Sequence, residues 1–253
     1  MITLFVKARR SALSAIICWF FVWLCTPASA QVNTVNLRVE IKQKASPKPD
    51  KSAVNSLNLS GVVAWLKPVE RSSVNVVGQS HQRLQLSQKN KSFQPHLLVV
   101  PVGSAVDFPN HDPFFHNVFS LFDGKRFDLG LYEAGASNSV RFDRVGVSFL
   151  FCNIHPEMSA VVVAVDTPYY GVSDRNGNLT ISDVPDGKYE LHVWYERSLP
   201  DDLKSLTRVV IISSGSRDLG AISIPESSAF SASHKNKYGQ DYSPPPAPAY
   251  SHP

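Results

Sequence analysis

The chain has 253 residues, of which 43% are hydrophobic and 18% are charged, so it contains enough apolar material for one or two packed domains. Its formal net charge is +4, but Lys7, Arg9 and Arg10 supply three of these charges within the first ten residues. Without them no basic face remains that would indicate a nucleic-acid partner. Three cysteines are too few for a disulfide-stabilised scaffold.

The N-terminus is predicted to be a signal peptide over residues 1–30. A basic start is followed by the apolar stretch Ser11–Cys25, which is short for a membrane-spanning helix, and by the small residues Ala28-Ser29-Ala30. We therefore expect a mature chain that begins at Gln31 and is periplasmic or secreted. The alternative is that the segment is retained as a membrane anchor. No second long apolar run follows, so we expect no membrane span after cleavage.

Short apolar runs separated by turns dominate the next part of the chain. Residues 32–43 partly alternate between apolar and polar, as a strand would, and from Leu59 onward the runs are rich in Val, Phe and Leu. No convincing helical pattern of ten or more residues accompanies them. The pattern is typical of an antiparallel β-sandwich or barrel. The clearest runs are Gly61–Leu66, His96–Val100, Ala105–Phe108, Ser139–Phe142, Val147–Phe151 and Ala160–Val165.

Residues 167–226 are predicted to form a second, small all-β unit. Asn176-Gly177 offers the positive φ angles of a tight hairpin turn between Tyr169–Val172 and Leu179–Ile181. Residues 227–253 are rich in Ser, Pro, Ala and Tyr and have almost no aliphatic side chains. Such a composition buries too little surface to offset the entropy of ordering, so we expect a disordered and dispensable tail.

The sulfur-containing residues carry the clearest chemical signal. After residue 30 the chain has one cysteine, Cys152, and one methionine, Met158. A lone thiol in an oxidising compartment is interpreted either as a buried apolar residue or as a metal-bound thiolate. The spacing Cys152-x2-His155-x2-Met158 places three soft donors in one loop, and His116 would add a fourth from a neighbouring strand. Two imidazoles, one thiolate and one weak thioether are the ligand set of a blue copper site.

These motifs resemble the cupredoxin family. The segment Asp107–Ser120 contains Pro-Asn-x-Asp-x3-His-Asn-Val-Phe-Ser, and the loop Cys-x2-His-x2-Met is similar to the short ligand loop of the amicyanins. The stretch Leu59–Asp166 resembles plastocyanin-like periplasmic proteins often named after methylamine utilisation. The resemblance implies a Greek-key β-sandwich, and for Asn117 a backbone contact that ties the two ligand segments together. It also implies one type 1 copper ion bound by His116, Cys152, His155 and, axially, Met158.

The C-terminal unit resembles carboxypeptidase-regulatory or transthyretin-like β-domains. The resemblance depends on Asp174-x-Asn176-Gly177, on the turn Val184–Tyr189 and on Trp194. Many β-sandwiches share these turn motifs. The domain order implied is a copper module over 31–166 followed by a small β-sandwich over 167–226.

The expected function is electron transfer between transient redox-protein partners. A copper ion that cycles between Cu(II) and Cu(I) in a fixed geometry needs no substrate pocket, and the chain has no His-x-His pair for a second metal centre, so we do not expect an enzyme. Copper handling by a chaperone or reservoir would use the same soft ligands. A further alternative is carbohydrate or cell-wall binding by the C-terminal domain, with candidate glycan-stacking rings at Tyr169, Tyr170, Trp194 and Tyr195.

Overall fold

The computed structural model describes residues 32–43, 58–70, 83–121, 124–227 and 234–242, so the predicted signal peptide lies outside the described residues. Within these ranges the chain forms seventeen strands and one short helix, α1 (Pro200–Ser205). None of the helical structure described there is long and apolar enough to cross a membrane. The predicted all-β sandwich class is confirmed.

Strands make up most of the regular secondary structure in these ranges. In chain order they are β1 (Val32–Gln43), β2 (Val63–Pro68), β3 (Leu84–Gln85), β4 (Ser87–Gln88), β5 (Phe93–Gln94), β6 (Leu97–Pro101), β7 (Ala105–Pro109), β8 (His116–Ser120), β9 (Phe127–Tyr132), β10 (Ser137–Arg141), β11 (Gly146–Phe151), β12 (Ser159–Val165), β13 (Tyr170–Val172), β14 (Asn178–Pro185), β15 (Gly187–Trp194), β16 (Arg208–Ile212) and β17 (Asp218–Glu226).

The first module is built on a five-stranded sheet of order β6-β12-β11-β8-β9, which faces the smaller sheet β10-β7-β3. Strand β12 reads Ser-Ala-Val-Val-Val-Ala-Val, and all of it after Ser159 is buried. An apolar run without alternation is buried on both faces. Here one set of side chains, represented by Val162, joins the core between the sheets, and the other set, represented by Val161 and Val163, packs against Val63 from the second module.

The strand directions are mixed. Among the described strands, β12–β6, β3–β7 and β1–β17 are parallel pairs, and the other ladders are antiparallel. The sequence pattern was interpreted as an antiparallel sandwich or barrel, and these three parallel pairs depart from that interpretation. Alternating and apolar runs define the strands, but the direction of a pair is set by the connection between them, and crossover connections permit parallel pairing.

Strands β1 and β2 pair with the second module. Its sheets have the orders β14-β1-β17 and β13-β2-β15-β16, and they enclose a core to which β1 contributes Val35, Leu37 and Val39. The predicted boundaries, 31–166 and 167–226, assigned both strands to the copper module, and this pairing corrects that assignment. The alternation along β1 defines a buried face, but it does not specify the sheet that the face joins.

The first module is thus an insertion into the second. The chain leaves the second sandwich after β2 and returns before β13, and the two crossing points lie side by side. Lys67 forms an ion pair with Asp166 at 2.8 Å, and the Thr167 hydroxyl donates a hydrogen bond to the Leu66 carbonyl at 2.8 Å. These contacts join the exit and the return of the chain at one place.

The turn around Gly177 is present, but it does not form the predicted hairpin. Gly177 has a φ of +80°, and a Cβ atom there would lie 2.4 Å from the carbonyl oxygen of Val39, so glycine is required. The strands on either side, β13 and β14, enter different sheets. The predicted positive φ is present at Gly177 but not at Asn176. The predicted pairing of the flanking strands was wrong, because β13 pairs with β2 and β14 pairs with β1.

Candidate metal centre

The two ligand segments reach the site from neighbouring strands of the five-stranded sheet. His116 is the first residue of β8, and Cys152 follows directly after β11. Phe151 pairs with both Phe119 of β8 and Ser159 of β12, so the loop 152–158 connects two adjacent strands at the edge where β8 begins. The antiparallel ladder therefore places the start of β8 beside the end of β11.

Three donor atoms converge at this edge. The Sγ atom of Cys152 lies 3.8 Å from Nδ1 of His116 and 3.6 Å from Nδ1 of His155, and the two Nδ1 atoms are 3.1 Å apart. His116 and Cys152 are fully buried, whereas His155 is partly exposed. Their donor atoms all lie within 4.8 Å of one another, so among the described residues these three side chains form a group that could hold a metal ion.

Met158 completes the loop. Its side chain is fully buried in the same core cluster as Cys152. The backbone N–H of Cys152 donates to the Met158 carbonyl at 3.3 Å, and the N–H of Met158 donates to the His155 carbonyl at 3.1 Å. The loop therefore closes on itself, and all four residues singled out from the sequence lie at the same end of the first module.

Burial raises the pKa of the Cys152 thiol, and this effect outweighs the hydrogen bonds from the backbone N–H groups of Asn117, Ile154 and His155, which act in the opposite direction. These donors stabilise a thiolate and would orient it in a metal site. The contact from Asn117 is the one expected at this position, because it joins the His116 segment to the cysteine sulfur.

The electrostatics at His155 keep its ring neutral. Burial lowers the pKa of His155, and the neighbouring His116 lowers it further. A neutral imidazole has a lone pair on one ring nitrogen, which is the form that binds a metal ion.

Asp112 fixes the orientation of His116, a role that the sequence analysis missed. Its Oδ2 lies 2.8 Å from Nε2 of His116, and both side chains are buried. The carboxylate also accepts backbone hydrogen bonds from Asn90 at 2.6 Å and Lys91 at 2.9 Å. Burial raises the pKa of Asp112, but the hydrogen bonds from Lys91, His116 and Asn90 outweigh it, and the net direction is downward.

This carboxylate selects one tautomer of His116. Because Nε2 faces an ionised acceptor, Nε2 carries the proton and donates it, and the lone pair remains on Nδ1, where the sulfur lies. Histidine ligands of metals commonly donate their second ring N–H to a carboxylate in this way. The available signal in the sequence was an acidic residue four positions before His116.

Aromatic and apolar side chains border the site. The ring of Phe114 lies 5.2 Å from that of His116 and 5.6 Å from that of His155, between centroids. Phe115, next to His116, and Ile154, in the ligand loop, are 53% and 42% exposed. Both present apolar side chains to solvent near the site.

The predicted disordered tail requires correction in part. Residues 234–242 are described, and they contact the ligand loop: the Tyr242 hydroxyl donates to the Cys152 carbonyl at 2.7 Å, and the Lys237 N–H donates to Oδ1 of Asn153 at 3.0 Å. The low aliphatic content that predicted disorder does not exclude this docking, because it uses aromatic, imidazole and ammonium groups. No sequence pattern indicated it; the contacts join residues 84 and 90 positions apart.

The candidate glycan-stacking rings of the second module are mostly core residues. Tyr169 and Tyr195 are buried at 6% exposure each, and Tyr170 and Trp194 are partly buried against the first module's sheet. None of the four offers a fully exposed ring face for stacking on a sugar.

The donor set fits a soft, redox-active metal. Two imidazole nitrogens and a sulfur converge, a thioether is buried in the same cluster, and the nearby carboxylate is occupied by Nε2 of His116. Nitrogen and sulfur donors with a thioether suit copper, whereas calcium and magnesium require oxygen ligands.

No protein-family model and no curated protein matches this chain. Among solved structures it is similar to the copper-containing nitrite reductase of Thermus scotoductus SA-01, with 23% identity, 34% of this chain covered and a TM-score of 0.33; the match spans only 23% of that chain. A purple cupredoxin from Nitrosopumilus maritimus is 24% identical over 32% of this chain and 99% of its own, with a TM-score of 0.30. A Cu(I) amicyanin variant is 18% identical over 40% of this chain and 98% of its own, with a TM-score of 0.32.

Proposed function

We propose that this chain is an exported type 1 copper protein that carries single electrons between redox partners. The observation that supports the proposal is the convergence of Nδ1 of His116, Sγ of Cys152 and Nδ1 of His155, with the side chain of Met158 buried in the same core. This is the donor set of a blue copper site.

The residues would hold copper in a site that needs little rearrangement. Bound copper would supply a one-electron couple, Cu(II)/Cu(I). Asp112 fixes the ring of His116, backbone N–H groups orient the sulfur of Cys152, and two backbone hydrogen bonds close the loop. A donor set fixed by its surroundings before the metal arrives favours rapid electron exchange, because the ligands move little between the two oxidation states.

Access to the site favours a carrier over an enzyme. His116, Cys152 and Met158 are fully buried, and His155 alone among the four is partly exposed. Exposed Phe115 and Ile154 lie beside it and would form a small apolar surface for a transient redox partner. Such encounters typically bury less than about 1,200 Å² in total, because the carrier must dissociate after each transfer.

Export is part of the proposal. The basic start, the apolar stretch and the small residues at 28–30 favour a cleaved signal peptide and a periplasmic or secreted protein. Determination of the N-terminal residue of the protein recovered from the producing cell tests this directly. A chain that begins at Gln31 supports a cleaved signal peptide. A chain that retains residues 1–30 contradicts cleavage and favours the alternative of a retained membrane anchor.

The test of the copper site compares the copper-loaded, oxidised protein with its Cys152→Ser variant. We expect an intense thiolate-to-copper band in the visible spectrum of the parent and its loss in the variant, since serine cannot provide the sulfur bond. Reduction and reoxidation by small redox reagents should then remove and restore the band without loss of copper. A colourless copper protein, or a variant that keeps the band, would refute the site. Copper release on reduction would indicate copper handling instead of electron transfer.

A further inference from the structure

The docked segment, His234–Tyr242, contacts the loop that carries Cys152 directly and reaches the His116 segment through Asp128. We propose that it is a structural part of the metal centre and that Tyr242 is a positioning residue that holds the ligand loop through the carbonyl of Cys152. The inference deepens the proposed function and, for its copper readouts, depends on it.

The hydrogen bond from Tyr242 is directed at a buried group. Cys152 is fully buried, and its carbonyl oxygen accepts the Tyr242 hydroxyl at 2.7 Å. A buried carbonyl without a partner is costly, so this donor contributes to keeping the cysteine backbone in place. Burial raises the pKa of Tyr242 to about 12, so the hydroxyl keeps its proton at neutral pH.

The neighbouring His234 confirms the direction of this bond. Its Nδ1 lies 3.3 Å from the Tyr242 oxygen and 3.1 Å from the carbonyl oxygen of Lys235. A carbonyl only accepts, so Nδ1 carries the proton and donates. The hydroxyl proton of Tyr242 is therefore free for Cys152. The ring of His234 also stacks on Phe151, the residue before the cysteine, with 4.0 Å between centroids.

Lys237 holds the segment at a second point. Its backbone N–H donates to Oδ1 of Asn153, and its ammonium group lies 2.7 Å from Oδ2 of Asp128. The other oxygen of Asp128 accepts the side-chain amide of Asn117 at 2.7 Å. Burial raises the pKa of Asp128, but the hydrogen bonds from Lys237, Gly130 and Asn117 lower it further than burial raises it, so its charge persists. The docked segment thus reaches the loop that follows Cys152 and, through Asp128, the residue that follows His116.

The docked segment contains a turn at Asn236–Gln240, which positions Lys237 and Tyr242 for their contacts. Oδ1 of Asn236 accepts the N–H groups of Tyr238 and Gln240 at 2.9 and 3.0 Å, and Gly239 has a φ of +77°. An Asx turn followed by a left-handed glycine sets the spacing between Lys237 and Tyr242. Tyr238, by contrast, is 71% exposed and its ring contacts Lys237 instead of the ligand loop.

The test compares Tyr242→Phe with Tyr238→Phe in the full chain. Each variant removes one hydroxyl from the same segment, and only Tyr242→Phe removes a hydroxyl that contacts the ligand loop. In the metal-free protein we expect faster hydrogen exchange of the backbone amides from Cys152 to Met158 in Tyr242→Phe alone. In the copper-loaded protein we expect about tenfold weaker copper retention against a chelator, as for other residues that support metal ligands. We also expect a shifted reduction potential, because groups that orient a metal ligand also tune the metal.

The outcomes separate this inference from the proposed function. Identical amide exchange, copper retention and potential in the two variants would overturn the positioning role of Tyr242. If the parent protein forms no blue copper site, the proposed function fails, while amide exchange in the metal-free protein still decides whether Tyr242 positions the loop. Faster exchange throughout the first module, instead of in the ligand loop, would also overturn the inference, since it would indicate general destabilisation.

Discussion

The turn Asp174–Asn178 and the loop 152–158 differ in whether local or distant contacts stabilise them. The turn Asp174–Asn178 is stabilised by its own side chains, because Oδ1 of Asp174 accepts the N–H groups of Asn176 and Asn178 at 2.8 and 2.9 Å. The loop 152–158 is closed by two backbone bonds, but its cysteine and histidine face His116, and its carbonyl at Cys152 is bound by Tyr242, 90 residues away. The first loop is a local structure, and the second is assembled from distant parts of the chain.

The largest effect is expected from the loss of Asp112, which orients His116 opposite the loop 152–158. Asp112→Ala removes the acceptor of three hydrogen bonds and leaves Nε2–H of His116 buried without a partner. We expect the free energy of unfolding of the metal-free protein to fall by about 3 kcal/mol, with copper affinity reduced at least about tenfold. Urea unfolding and competition with a copper chelator measure the two effects.

Asp112→Asn is the matched control for that change. It retains an oxygen for Nε2 of His116 while it loses the negative charge, so copper affinity should lie between those of the parent and Asp112→Ala. Equal affinity in all three proteins would show that Asp112 does not support the metal centre.

Disruption of the turn Asp174–Asn178 should lower the stability of the protein without changing the candidate metal centre. Gly177→Ala places a methyl group against the Val39 carbonyl at a φ of +80°. Strain and overpacking together should lower the free energy of unfolding by about 2 kcal/mol or more, with no change in the copper spectrum. Gly215→Ala, where a Cβ has no neighbour within 4 Å, is the control and should be nearly neutral. A spectral change in Gly177→Ala would mean that the two loops are coupled.

Within the ligand loop, Met158 should affect the reduction potential of the copper more than it affects copper affinity. A thioether is a weak axial ligand, and a harder oxygen donor favours Cu(II). Met158→Gln should therefore bind copper and shift the reduction potential downward, as measured by redox titration. An unchanged potential would remove Met158 from the set of copper ligands.

The smallest effect concerns His96, which connects the two modules. Nδ1 of His96 lies 3.1 Å from the carbonyl of Ser159, next to the ligand loop, and Nε2 lies 2.7 Å from Glu196 in the second module. The hydrogen bond to Glu196 raises the pKa of His96. The contribution to stability is therefore complete below the unfolded-state pKa of about 6.5 and is lost as the pH rises through the higher folded-state value.

The pair is partly exposed, so its contribution should be under about 1 kcal/mol. Urea unfolding at about pH 6 and about pH 9 should show a larger loss for Glu196→Gln at the lower pH. An equal loss at both values would mean that His96 is not charged in the folded protein.

The comparison of the loops also explains what the sequence could predict. The short apolar runs became strands, and the loop with Cys152, His155 and Met158 was found because its donors are three residues apart. The role of Asp112 was not predicted, since its partner ring could be identified only once β8 was in place. The partners of β1 and the docking of Tyr242 depend on contacts between distant residues, for which alternation and composition contain no signal.

The insertion of the first module has a consequence for the order in which the protein is made. Strand β1 leaves the ribosome first, yet Asn33 bonds to Val184, 151 residues later in the chain. The sheets of the inserted module use only strands between β3 and β12, whereas β1 and β2 pair with strands from β13 onward. The outer sandwich can therefore close only after the strands of the inserted module have been made. Until then β1 presents two unpaired edges, and its polar, solvent-facing residues Asn36, Arg38 and Glu40 reduce the risk of association with other chains.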